Sequence, residues 1–201
     1  LSFGKNRNSN IKLFKIKKNK NYLILFVKVN SKVYDFKIKN TLLPYIDNIL
    51  ASIAVLKSLF IIDKINNNFF LEYKIPNGRG NLKRITIDKK KINILDESYN
   101  SNPLSLKFSL NKFNNINTDT KKKFILLGDM LELGKFSKKL HSDAAKDINK
   151  VKFNKLFVYG KSIIYTFNKI RTQKKGKILK TRDEVINLIK KDLSNEDFLM
   201  I

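Results

Sequence analysis

Two short stretches hold most of the side chains able to do chemistry. "LDESYNSNP", residues 95–103, and "GDMLELG", residues 128–134, bring Asp96, Glu97, Asp129 and Glu132 together with Ser98, Tyr99, Asn100 and Asn102. Carboxylates accept hydrogen bonds from hydroxyl and ammonium groups, and an Asn amide both donates and accepts. The set therefore marks a candidate site for a polar ligand. A turn alone needs one or two such groups. Local roles compete with ligand roles at several positions. Asn102 stands directly before Pro103, where it either caps a helix with Pro at its first position or meets a ligand. Tyr99 either faces a ligand or packs its ring under the loop and tethers it by the hydroxyl. Asp96 either contributes to a site or caps its turn, and Asp129 and Glu132 either orient backbone amides or meet a ligand. His141, the one His of the sequence, titrates in the range of a general acid or base, yet its place on a predicted helix suits a structural role as well. One His and scattered carboxylates do not make a ligand set, so no metal site is predicted.

These loops need elements to position them. Past residue 80 the pattern alternates, with strands expected at 82–87, 91–95, 123–128, 155–159, 177–180 and 197–201 and helices at 104–113, 137–149, 161–169 and 183–193. That alternation predicts an α/β fold with a mainly parallel sheet covered by helices on both faces. In such sheets ligands bind beyond the carboxyl ends of the strands, which puts both loops on one edge. The front of the chain has a different texture. Residues 11–18, 22–30 and 32–39 read as three strands with a tight turn at Asn30-Ser31. A broad-faced apolar helix follows over 45–59, and a second helix is expected to begin near Asp63. The run Ile75-Pro76-Asn77-Gly78-Arg79-Gly80 marks a link, dividing the chain into domains 1–76 and 77–201. Polar loops are expected at Asn66-Asn67-Asn68 and at 114–120.

Composition narrows the field. With 201 residues, 42% of them hydrophobic, the chain is long enough to bury a core and is not of disordered type. There is no Cys, which suits a reducing cytoplasm, and no apolar run approaches the ~20 residues of a membrane span. The net charge of +25 invites a nucleic-acid reading, but only five of the 42 basic residues are Arg. Nucleic-acid sites favour the planar Arg fork for phosphate and guanine. Lys here rises together with Asn, Ile and Phe, the residues of A/T-rich codons, which favours a solvated Lys-rich surface. The opening Leu1-Ser2-Phe3-Gly4-Lys5 is neither an initiator Met nor a signal peptide, so a longer parent is expected.

The two loops, in this order and at this separation, with Leu140-His141 after them, resemble the Mur ligase family. The resemblance is strongest to the branch whose loops read (I/L)D(D/E)SYNANP and GDMxELG. "LPYIDNILASIAVL", residues 43–56, resembles the family's central-domain helix, and "NGRG", residues 77–80, its Gly-Arg-Gly link between the central and carboxyl-terminal domains. Phe3-Gly4 resembles the opening of the central-domain strand meander. The resemblance implies that 1–76 is the carboxyl-terminal part of an ATP-binding central domain, a β meander plus helices. It implies that 77–201 is a Rossmann-like carboxyl-terminal ligase domain. The family's UDP-sugar domain, Gly-rich phosphate loop and carbamylated Lys find no match in this stretch, so no catalytic residue is assigned and the fragment alone is expected to be inactive.

What the resemblance implies about activity is an ATP- and Mg2+-dependent amide ligation in the cytoplasm by a monomeric enzyme of peptidoglycan precursor synthesis. D-alanyl-D-alanine is added to UDP-N-acetylmuramoyl-tripeptide through an acyl phosphate. Arg79 then approaches the nucleotide, Glu97 accepts from ribose hydroxyls with Asp96 beside it, and Asn48 lies on the adenine-side helix. Asp47 and Ala51 stand where that helix usually carries His and a second Asn. Ser98, Tyr99, Asn100 and Asn102, with Asp129 and Glu132, face the dipeptide. The alternatives are a Lys-rich nucleic-acid-binding module or another amino-acid-adding Mur ligase.

Overall fold

The computed structural model describes residues 1–59, 61–118 and 121–201. Asp119 and Thr120, within the predicted polar loop 114–120, lie outside the described residues. The chain divides into two compact units, Leu1–Lys74 and Ile75–Ile201.

In the first unit, strands β1 (Phe3–Gly4), β2 (Ile11–Lys18), β3 (Tyr22–Val29) and β4 (Lys32–Lys39) lie side by side in that order. β1 runs parallel to β2, and the rest form the antiparallel meander. Alternation decides the buried face: Leu23, Leu25, Val27 and Val29 point into the core, with Ile38 and Phe36 of β4 opposite Leu23 and Leu25. Each side chain so buried contributes about 1.5–3 kcal/mol. Asn30 turns the β3–β4 hairpin in the left-handed region, at φ 53°. Helix α1 (Ile46–Ser58) buries Ile46, Ile49, Leu50, Ile53 and Ala54 at spacings of three and four. The helix expected near Asp63 is a single 3-10 turn, Ile62–Lys64. Local polar groups stop it: Asp63 accepts from Tyr34 and Lys32, and the Asn66 carboxamide oxygen accepts the Asn68 amide at 2.8 Å.

The second unit is a six-stranded sheet made of β5 (Asn81–Ile87), β6 (Lys90–Asp96), β7 (Lys123–Gly128), β8 (Lys155–Tyr159), β9 (Lys175–Leu179) and β10 (Phe198–Met200). Their order across the sheet is β5-β6-β10-β7-β8-β9. β5 pairs antiparallel with β6 through a two-residue turn in which Asp88 and Lys89 both have positive φ; all other pairings are parallel. β7 is buried on both faces, which is why it reads as a continuous apolar run. Ile125 and Leu127 face α2 (Pro103–Asn114) and α3 (Ser137–Lys150), while Phe124 and Leu126 face the opposite layer with Leu188 and Leu193.

Helix α2 presents Leu106, Leu110 and Phe113 to the core, and α3 presents His141, Ala144, Ala145 and Ile148. Buried Lys123 closes the carboxyl end of α2, donating from Nζ to the carbonyls of Phe113, Asn114 and Ile116. Two helices are shorter than expected. α4 spans only Ile164–Asn168, and the turn leading into it is held by Asp129, which accepts the amides of Lys161 and Ile163. α5 (Arg182–Asn187) passes into a π turn over Leu188–Asp192.

Candidate ligand site at the strand ends

The carboxyl ends of β6, β10, β7 and β8 open on one edge of the sheet, around a cavity of about 510 Å³. The stretch after β6 supplies Glu97 to Ser101, the stretch after β7 supplies Gly128 to Leu131, and Tyr159 and Arg182 complete the mouth. β10 separates the two loop-bearing strands, and its Met200 forms part of the floor. The volume is that of a small-molecule site, with apolar walls and a few polar groups.

Each predicted residue has a definite place. Asp96 is tied into the loop: its carboxylate accepts from the Lys83 ammonium at 2.8 Å and from the Ser98 hydroxyl at 2.6 Å. Burial acts to raise its pKa, but the hydrogen bonds from Lys83 and Ser98 outweigh it and leave the group below its ordinary value. Asn102 is the helix cap. Its side-chain oxygen accepts the amides of Leu104 and Ser105, and the Ser105 hydroxyl accepts the Asn102 amide, a reciprocal capping box. Of the two roles open to Asn102, the structure shows the cap. Asn100 stays exposed and lines the cavity.

Arg79 and Tyr99 meet, with the guanidinium carbon 4.3 Å from the ring centroid. The backbone makes this possible: the Tyr99 amide donates to the Gly78 carbonyl at 3.1 Å, and Gly78 sits at φ +75°. A Cβ there would lie 2.8 Å from the Tyr99 nitrogen, so only Gly fits. Gly80 closes the strap, donating its amide to Asp96 and accepting from the Lys112 ammonium.

Glu97 is the unsatisfied group of the site. Its Oε1 is buried without a hydrogen-bond partner among the described residues. Burial pushes the carboxyl above its ordinary pKa, with the Ser109 hydroxyl and the Lys112 ammonium pulling it partway back. Because the folded pKa exceeds the unfolded one, the folded state holds an extra proton between the two, and stability falls as pH rises through that interval. Glu97→Gln removes this loss. The variant is expected to match the natural chain in acid and to become the more stable of the two as pH rises above the ordinary carboxylate range. Urea unfolding at several pH values, followed by circular dichroism, checks it; a constant difference between the two chains would refute the assignment.

The second loop is built from within. Both Asp129 oxygens accept backbone amides, Oδ2 from Lys161 at 2.9 Å and Oδ1 from Ile163 at 2.7 Å. Of its two possible roles, the structure shows the amide-orienting one. Glu132 is exposed, with φ 61°, and does not line the cavity. His141 is fully buried; its Nε2 accepts the Met130 amide at 3.0 Å and its Nδ1 donates to the Ser137 carbonyl at 2.8 Å. Both ring nitrogens are thus spent on holding the loop. Asn48 lies exposed on α1 of the first unit. Tyr159 and Arg182 were not singled out from the sequence, although Tyr159 ends β8 and the strand-end rule points to it.

An α/β domain with a mainly parallel sheet and its cavity beyond the strand ends is a ligand-binding domain of the doubly wound, Rossmann-like kind. Comparison with known proteins is more specific: the family described as "Mur ligase, glutamate ligase domain" matches residues 82–201, and the chain belongs to it. A UDP-N-acetylmuramoyl-tripeptide–D-alanyl-D-alanine ligase of Rickettsia prowazekii is 25% identical over 188 residues, covering 94% of this chain and 40% of the relative. An enzyme of the same name from Bacillus subtilis is 33% identical over 70 residues, covering 35% of this chain and 15% of the relative. The chain therefore spans well under half the length of these relatives. Among solved structures, MurF of Acinetobacter baumannii superposes with a TM-score of 0.71 at 19% identity, covering 99% of this chain and 43% of that one. MurF ligase of Thermotoga maritima, solved with ADP, gives 0.68 at 20% identity, covering 98% and 43%.

Proposed function

We propose that this chain is the carboxyl-terminal portion of an ATP-dependent amide ligase that adds D-alanyl-D-alanine to UDP-N-acetylmuramoyl-tripeptide in peptidoglycan precursor synthesis. The observation that carries the reading is a cavity flanked by both "LDESYNSNP" and "GDMLELG". Its similarity over 94% of the chain to a ligase of that name supports it. In this reading the first unit is the end of a central domain and the second is the carboxyl-terminal domain, in a monomeric cytoplasmic enzyme. No helix among the described residues is long and apolar enough to cross a membrane.

The groups around the cavity suit the nucleotide's sugar. Glu97 Oε1 is a buried acceptor lacking a donor, which a ribose hydroxyl would supply, and Arg79 lies at the adjoining strap as a cationic fork for nucleotide oxygens. Asn48 is assigned to the adenine side. Magnesium would offset phosphate charge in the parent. Among the described residues no group of three or more His, Asp or Glu side chains is placed to hold a metal ion, so none is assigned as its ligand.

The reaction proposed for the parent transfers a phosphoryl group from ATP to the terminal carboxylate of the tripeptide. The dipeptide amine then attacks the resulting acyl phosphate through a tetrahedral intermediate and releases phosphate. The task of the present residues is to orient the amine and keep water from the acyl phosphate, with Ser98, Tyr99 and Asn100 on the dipeptide side. The test is ADP release by the full-length parent, expected only when UDP-tripeptide and D-alanyl-D-alanine are supplied together. Turnover with glutamate or a diamino acid in place of the dipeptide would move the assignment to another member of the family.

A further inference from the structure

Arg182 begins α5 at the mouth of the cavity and is the one Lys or Arg among the residues that line it. Other Arg side chains are engaged: Arg84 pairs with Glu196, and Arg79 lies over Tyr99. The Arg182 side chain makes no hydrogen bond or ion pair with any described residue. Neither carboxylate residue of the lining, Asp129 or Glu97, forms an ion pair with it. Asp129 already accepts two amides, and Glu97 is drawn toward Ser109 and Lys112 on α2. Tyr159, half exposed at the end of β8, lines the same cavity, and its hydroxyl also makes no hydrogen bond with a described residue.

The lining of the cavity therefore carries one uncommitted guanidinium, together with apolar groups that include Leu106, Leu127 and Met130. A ligand of matching character carries an anionic carboxylate at one end and small apolar substituents along its length. A guanidinium binds a carboxylate through two parallel N–H donors, a geometry that a point charge does not reproduce.

We propose that Arg182, assisted by the Tyr159 hydroxyl, is the anchor for the carboxylate of the incoming D-alanyl-D-alanine and so sets selectivity for an acceptor with a free carboxyl terminus. The proposal rests on the dipeptide-ligase reading above. It is not a property of the two motif loops, since Arg182 lies 48 residues beyond the second of them, on a different strand-to-helix connection.

The experiment compares D-alanyl-D-alanine with D-alanyl-D-alaninamide, which lacks the carboxylate, in the full-length parent. The natural enzyme is expected to favour the acid in kcat/KM by about 10- to 100-fold, the range for a hydrogen bond to a charged group. Arg182→Ala should raise KM for the acid by that factor and leave the amide, ATP and UDP-tripeptide unaffected, so the preference disappears. Arg182→Lys should restore part of it, and Lys180→Ala, a neighbouring surface cation outside the cavity lining, should change nothing. Retention of the acid preference by Arg182→Ala, or equal losses for acid and amide, would overturn the assignment. A natural parent that ligates a different amino acid would overturn the dipeptide reading instead, and the same acid–amide comparison with that amino acid would then decide Arg182.

Discussion

Asp129→Ala is expected to lower stability by about 3 kcal/mol and to disorder the edge of the cavity with it. Asp129 leaves β7 and reaches across to the connection after β8, where its two oxygens take the amides of Lys161 and Ile163. Hydrogen bonds to a charged acceptor each net about 1.5–3 kcal/mol, and here two depend on one side chain. Lys161 is exposed, so water recovers part of its loss, which keeps the total near the lower end of the sum. Asp129→Asn should help little, because one oxygen becomes a donor pointed at an amide. Gly160 offers an independent check: at φ +142° it lies so close that a Cβ would collide with the Asp129 carboxylate. Gly160→Ala should therefore damage the same connection from its other side. Urea unfolding by circular dichroism measures both; a change below about 0.5 kcal/mol for Asp129→Ala would show that the clamp is not needed.

His141→Ala should cost about 3–4 kcal/mol. Removing the ring leaves a void in a fully buried position and strands the Met130 amide that donated to Nε2. His141→Gln, which keeps an acceptor and a donor on a flexible stem, should recover part of the loss. Met130 follows Asp129 directly, so the two anchors hold one segment. Their effects should fall short of additive in the double variant, because the first substitution already frees what the second would release. Full additivity in thermal or urea unfolding would mean that the anchors act separately.

Much of this site was legible in the residue order, for physical reasons that differ from element to element. The unbroken apolar run of β7 predicts a strand buried on both faces, and the rule that ligands collect at strand ends then picks out both loops. Asn102 before Pro103 offers a cap as one of its roles, because capping is a local matter of three residues. The roles of Asp129 and His141 were open, since their partners are supplied by backbone elements elsewhere: Ile163 from another connection, Met130 from the far end of a loop. Arg182 carries no local signal at all. Only the return of α5 beside the β8 end makes it part of a cavity, and the pairing order that produces this return is not written in any single segment.

The placement of β10 has a consequence for the order in which the protein folds. β6 and β7 carry the two loops, yet neither pairs with the other; β10 hydrogen-bonds to both, with Leu199 opposite Ile94 and Phe124. Those partners were made about a hundred and about seventy-five residues earlier, so the central pairings of the sheet are among its most distant in sequence. Closing such long loops is slow, and it must precede the burial that rewards it. Until β10 arrives, the β5–β6 hairpin and the β7–β8 pair leave one edge of β6 and one of β7 unpaired and open to wrong partners. A finished cavity is thus a report that the sheet has closed, and any delay in β10 would leave a chain with both motif loops present and no site between them.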